Sequence, residues 1–248
     1  MQPRQRIMVL TGASRGIGHA TARLFNAQGW RVITVSRQAF SPHCPWAAGP
    51  QDHLQLDLGH LPGLPQGIDE MRQRLPDGKL DALINNAAIS PKRAGGGSPK
   101  LGVLETDPAI WTQVFNVNLF AVALLARELV QNISAAKGSI VNITSIAGTR
   151  VHPYAGVAYA ASKAGLATLT REMAAEFAPL GVRVNAISPG EIDTKILSPG
   201  TAAFAAREVP MARLGRTEEV AAAIHFLCSD AASYVTGAEL HVNGGEHV

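Results

Sequence analysis

Short apolar runs alternating with helical stretches constrain this chain more than anything else in it. Ile7–Leu10, Val32–Val35, Ala82–Ile84, Ser139–Ile143 and Val182–Ile187 are brief, continuous and mostly β-branched. Strands of this kind belong to a sheet covered on both faces. Gly16–Gln28, Pro108–Gln131, Val157–Pro179 and Thr217–Ser229 read as helices between them. Thr217 followed by Glu218 and Glu219 marks a helix start, because acidic groups favour the positive end of the helix dipole. Strand–helix alternation implies a parallel sheet with right-handed crossovers. The expected fold is a doubly wound α/β domain of the Rossmann type.

Composition narrows the function classes. With 248 residues, 46% of them hydrophobic and 17% charged, the chain can bury a sizeable core without disulfides. No repeat or linker divides it, so residues 1–248 are expected to form a single domain. Cys44 and Cys228 match no metal-ligand spacing and read as two reduced thiols; no metal is expected. Lys and Arg total 22 against 19 Asp and Glu. That balance, with 5% aromatic residues, argues against a nucleic-acid surface. The apolar stretches are interrupted by Asn118, Arg127 and Gly165, so no membrane span is expected. The basic start of the chain runs straight into a strand and lacks a signal-peptide core. The expected location is cytoplasmic. Two segments break the rhythm: Gln38–Gln51, with Pro42, Pro45 and Pro50, and the Gly-rich cationic Ser90–Lys100.

Thr11-Gly12-Ala13-Ser14-Arg15-Gly16-Ile17-Gly18 follows the first strand and opens the first helix. Backbone N–H groups at a helix N-terminus point at a pyrophosphate, and the dipole reinforces them. Gly12 suits the tight turn, Gly16 the close approach of phosphates, and Gly18 the packing of helix on sheet. Glycines also make ordinary turns, but strand before and helix after point to a dinucleotide. An NAD-preferring site places a carboxylate at the end of the second strand, against the ribose 2′-hydroxyl. Here that strand ends Thr34-Val35-Ser36-Arg37. Arg37 suits a 2′-phosphate with forked hydrogen bonds, Ser36 can donate another, and Arg15 can reach the same group. NADP(H) is therefore the expected cofactor, with NAD(H) a weaker alternative.

Tyr159 and Lys163 stand four apart on a helix and share a face. A phenol titrates near pH 10, and a nearby ammonium is expected to bring it toward the working range. Ser145 ends a buried strand, and in open α/β sheets ligands bind beyond the carboxyl ends of the strands.

These pieces sit in a larger set. TGASRGIG at Thr11–Gly18, Asp57-Leu58, NNAA at Asn85–Ala88 and VNL at Val117–Leu119 are followed by ITS at Ile143–Ser145. YAASK at Tyr159–Lys163, SPG at Ser188–Gly190 and NGG at Asn243–Gly245 complete it. In order and over essentially its whole length, the chain resembles the short-chain dehydrogenase/reductase family. The resemblance implies that Tyr159 exchanges a proton with the carbonyl or alcohol oxygen and that Ser145 hydrogen-bonds that oxygen. Lys163 would lower the Tyr159 pKa and bind the nicotinamide ribose. Asn118 would hold a water relaying protons from Lys163; Asn116 is its rival by proximity, and the VNL pattern selects Asn118. Asp57 and Leu58 would lie against adenine, Asn85 near the adenine-side ribose, and Ile192 and Thr194 against the carboxamide. Ser14, Ile17, Ala87, Pro189 and Gly190 would complete the cofactor site. The family pattern also implies a lid within about 191–207 and a homotetramer, with a dimer next.

The substrate implied is a small carbonyl or secondary alcohol. A 3-oxoacyl thioester reductase is one version, and a protein that binds NADP(H) without turnover is the alternative from another class. Lys92, Arg93 and Lys100 either attract an anionic substrate or are a solvated loop. Arg150–Ala155 lies between two catalytic positions and is expected to form a pocket wall, with the directions of His152 and Tyr154 left open. Glu191 and Asp193 look unfriendly to a second anion near the nicotinamide.

Overall fold

The computed structural model describes residues 4–40, 49–93, 100–194, 197–198 and 200–248. Its sheet is built from β1 (Ile7–Thr11), β2 (Arg31–Ser36), β3 (His53–Gln55), β4 (Ala82–Asn85), β5 (Ser139–Ile143), β6 (Arg183–Pro189) and β7 (Glu239–Val242). The order is β3-β2-β1-β4-β5-β6-β7 and every neighbouring pair is parallel. Strand order therefore reverses between β1 and β4, and the ligand crevice of an open sheet opens at such a switch point.

The period of two along β1 sorts the core into two layers. Ile7 and Val9 join Ile33, Val35, Leu83 and Ile140 on one face. That face is covered by α2 (Leu64–Gln73), α4 (Ala121–Ala136) and α5 (Val157–Phe177), through side chains such as Ile68, Leu125, Leu129 and Phe177. Met8 and Leu10 point the other way, joining Val32, Ile84 and Val141 beneath α1 (Gly16–Ala27) and α7 (Thr217–Cys228). Each large side chain so buried contributes roughly 1.5–3 kcal/mol relative to exposure.

The five expected strands are present. β3 and β7 were not foreseen: β3 is three residues long, and β7 is a half-exposed edge strand without a continuous apolar run. Helix α2 was also unforeseen because Pro65 and Gly67 interrupt its pattern. Pro65 falls in the first turn, where its missing N–H costs nothing. At α7 the Glu219 carboxylate accepts a hydrogen bond from Arg216 N at 2.7 Å, so the acidic first turn does cap the helix.

The expected helix Pro108–Gln131 is three pieces: α3 (Pro108–Phe115), a π-helical turn Asn116–Phe120, and α4. Together Pro108–Ala136 is long and apolar enough, by length and composition, to cross a membrane. That corrects the expectation that no such stretch exists; Asn118 and Arg127 do not lower the average enough. Here Leu125, Leu129 and Ile133 of α4 are core residues against the sheet. Pro42, Cys44, Pro45 and the three consecutive glycines of the Ser90–Lys100 loop lie outside the described residues. Burial pushes the Cys228 thiol up to about 12, which leaves it an inert core group.

Candidate active site

The turn between β1 and α1 is held from beneath. Thr11 Oγ1 donates to Ile84 O and accepts from the amides of Asn86 and Ala87, both at 3.0 Å. Asn86 Nδ2 donates to the carbonyls of Thr11 and Gly12, again at 3.0 Å. Gly12 has φ +73°, and a Cβ there would come within 2.9 Å of Ala87 Cα. Gly18 is packed closer still: a Cβ would lie 2.3 Å from Gly12 O. It does not line the cleft, and its place beneath the turn is the packing role expected of it.

The turn delivers the N-terminus of α1 to a cleft of about 520 Å³ over the carboxyl ends of the strands. Among the described residues no side chain caps that terminus, and its first turn carries no acidic group. Free amides, a positive dipole end and a cradle that a Cβ would fill suit a pyrophosphate. Ser14, Arg15, Gly16 and Ile17 line this end, followed by Ser36, Arg37, Asp57 and Leu58. Ser36 Oγ is shared with Gln38, accepting from its amide and donating to its carbonyl, and Asp57 Oδ1 accepts from Gly59 N.

Beyond that end the cleft is bordered by Ser145, Tyr159, Lys163, Pro189, Gly190 and Ile192, while Ala87 and Thr194 line it beside the β1–α1 turn. Ser145 lies two residues beyond β5 and accepts from Ala147 N, which fixes its side chain at the head of a 3₁₀ turn. Tyr159 and Lys163 occupy the first turns of α5, with Lys163 almost wholly buried and donating to Ile143 O at 2.6 Å.

The protonation states differ from the expectation that Lys163 draws the Tyr159 pKa down. Burial raises Tyr159 above the usual phenol value; a Ser145 hydrogen bond opposes this, and the Glu191 charge adds to it. Burial also lowers Lys163 to about 7. Desolvation disfavours both charged forms, so without a further charge in the cleft the pair rests as neutral phenol and a weakly basic amine.

One expected position lies elsewhere. Asn85 is buried behind the cleft, where its Nδ2 donates to Asn142 Oδ1 at 2.9 Å. Alternation at the strand end turns Asn85 inward and gives the cleft to Asn86, which the NNAA block contained without singling out. Asn118 sits in the π turn with its amide engaged: Oδ1 accepts from Ile89 N, and Nδ2 donates to Ile89 O and Ser162 Oγ. Its rival Asn116 donates to Gly59 O, on the side of β3.

His152 and Tyr154 both line the cleft. Of the loop cations, Lys92 also lines it, donating to Tyr154 O and Ser198 Oγ, whereas Arg93 pairs with Glu105. Glu191, on the cleft wall, takes a hydrogen bond from His152 Nε2, and Glu246 lies beside them. No sequence pattern had pointed to Glu246.

The chain is similar to several known proteins. Residues 12–247 match a family model described as enoyl-(acyl carrier protein) reductase. The protein FixR of Bradyrhizobium diazoefficiens is 55% identical over 98% of this chain and 87% of its own. Cis-4-hydroxycyclohexanecarboxylate dehydrogenase of Sinomonas cyclohexanicum is 40% identical over 97% and 96%. A Brucella ovis oxidoreductase, crystallised with a partially ordered NAD, has a TM-score of 0.84 and 53% identity, covering 97% of this chain and all of that one. Fold, cleft and relatives agree that the chain belongs to the short-chain dehydrogenase/reductase family, oxidoreductases that use a nicotinamide cofactor on CH–OH and C=O groups.

Proposed function

We propose that this chain is an NADP(H)-preferring carbonyl reductase or alcohol dehydrogenase in which Tyr159 is the general acid–base. The observation that carries the reading is the convergence of Ser145, Tyr159 and Lys163 in the cleft that also receives the uncapped start of α1. When bound, the nicotinamide supplies or accepts the hydride. In reduction, Ser145 Oγ–H and the Tyr159 hydroxyl hold the carbonyl oxygen, and Tyr159 passes its proton to the alkoxide that forms. The neutral phenol favoured by burial is the form this direction needs. Lys163 holds the nicotinamide ribose and, when protonated, steadies the phenolate left behind. Asn118 ties Ile89 to α5 and so positions the path by which Lys163 is reprotonated.

The NADP(H) preference rests on Arg15 and Arg37 at the adenine end, where no carboxylate ends β2. The Brucella protein holds NAD, so the deciding measurement is a pair of dissociation constants, for NADPH and NADH. Equal values overturn the preference.

A 3-oxoacyl thioester reductase is the second reading, favoured by the acyl-carrier description of the matching family model. NADPH oxidation against simple ketones, hydroxy ketones and 3-oxoacyl thioesters, with Tyr159→Phe as control, separates the two. Tight NADPH binding with no turnover across that panel indicates a nucleotide-binding protein instead. The assembly in this reading is a homotetramer, and the location is the cytoplasm. Ala161, Ala164 and Thr168 form an exposed small-residue stripe on α5, suited to close helix contact between subunits. The described residues of 191–207, which include all but the last residue of α6 (Thr201–Glu208), act as the lid in this reading; Lys195, Ile196 and Pro199 lie outside the described residues.

A further inference from the structure

The wall of the cleft beside Tyr159 contains a group of ionisable side chains that the chemistry above does not use. His152 comes from the segment before α5, Glu191 from the end of β6, and Glu246 from the C-terminal turn; all three are buried. Their ligand-type atoms lie within 4.8 Å of one another.

The proton positions follow from the hydrogen bonds. Tyr154 N donates to His152 Nδ1 at 3.2 Å, so Nδ1 offers its lone pair and the ring proton is on Nε2. Nε2 then donates to Glu191 Oε1. Neither carboxylate oxygen of Glu246 has a hydrogen-bond partner among the described residues. Burial and the neighbouring Glu191 raise its pKa, and the Arg150 charge opposes the rise. Two carboxylates this close do not both ionise readily. A charge on Glu246 is therefore disfavoured, and it is the Glu191 carboxylate that His152 hydrogen-bonds.

A His and two carboxylates also have the composition of a metal site. A metal on Nε2 would need the ring proton on Nδ1, where the Tyr154 N–H already points. The geometry favours a hydrogen-bonded carboxylate over a metal ligand.

Glu191 lines the cleft, and its charge is felt at Tyr159. We propose that Glu191 determines specificity: its carboxylate accepts a hydrogen bond from a hydroxyl or ammonium group that the substrate carries besides its reacting carbonyl. The inference rests on the reductase reading above. A site built to pair a substrate donor rejects analogues lacking it, because its own buried acceptor is left unsatisfied.

The test compares cyclohexanone with 4-hydroxy-, 4-amino- and 4-carboxycyclohexanone, in wild type, E191Q and E191L. The readouts are kcat/KM with NADPH and calorimetric binding of the matching cyclohexanols to the NADPH complex. The expected wild-type result is at least a tenfold preference for one or both donor ketones over cyclohexanone, expressed mainly in KM. E191L should abolish it. E191Q should keep a hydroxyl preference and lose an ammonium preference, which tells the two sources apart. A wild-type enzyme without donor preference, or a preference that survives in E191L, overturns the proposal. So does a preference for the carboxylate ketone, which would assign recognition to Lys92, or a preference removed by EDTA and restored by Zn²⁺. Tyr159-dependent reduction of cyclohexanone without donor preference sinks this inference alone. Absence of both turnover and alcohol binding across the panel sinks the reductase reading with it.

Discussion

Lys163 Nζ lies 5.6 Å from the centre of the Tyr159 ring, beneath the phenol. From there it stabilises a phenolate when charged, yet the same depth of burial works against the charge. Replacing Tyr159 with Phe should lower kcat by at least about 100-fold, the range lost with a general acid. Dissociation of NADPH should change little, since the ring remains. Steady-state turnover and fluorescence titration of NADPH check the two halves separately.

The burial of Lys163 predicts a pH-dependent stability for the cofactor-free protein. Its ammonium titrates near 10.5 in a model compound and at about 7 in the fold. Between those values the unfolded chain holds the extra proton, so this group makes stability rise with pH; below about 7 its full penalty applies. A Lys163→Met variant lacks that term. Its melting temperature relative to wild type should be most favourable near pH 7 and least favourable near pH 10. A difference independent of pH would refute the assignment.

Arg37→Ala and Arg15→Ala should each weaken NADPH binding by roughly 10- to 100-fold, the value of a hydrogen bond to a charged group. NADH binding should be nearly unaffected. The effect should also shrink with added salt, because both guanidinium groups sit at an exposed rim.

Gly18→Ala places a methyl group 2.3 Å from Gly12 O, a contact that backbone alone must relieve. A cost of about 1–3 kcal/mol is expected from such overpacking, together with weaker cofactor binding. Gly29→Ala is the control. It has φ +81° but nothing within 4 Å, so it should cost about 1–2 kcal/mol and leave the cofactor affinity intact. Chemical denaturation and NADPH titration of both variants distinguish strain at the turn from strain in general.

Sequence pattern exposed what is local and missed what depends on convergence. The β1–α1 turn and the Tyr159/Lys163 pair were legible because fixed spacing along a turn or a helix determines their geometry. Asn85 and Asn86 show the limit: adjacent residues at a strand end face opposite sides, and a motif does not say which one the cleft receives. Strand β3 was lost because three residues give too little periodicity. The Glu191 wall was invisible for another reason. His152 and Glu191 are 39 residues apart, and Glu246 lies in a C-terminal turn whose placement only the folded sheet determines. The depressed basicity of Lys163 was missed because charge proximity was weighed without the cost of burial.

The uncapped first turn of α1 has a consequence for the protein as a material in the cell. Its leading amides have no capping side chain among the described residues, so a bound phosphate is the missing end of the helix. Hydrogen exchange in Gly16–Gly18 should slow on loading, and the melting point should climb with nucleotide concentration. The amount of intact protein would then track the supply of its coenzyme, coupling survival of the enzyme to the metabolic pool that it spends.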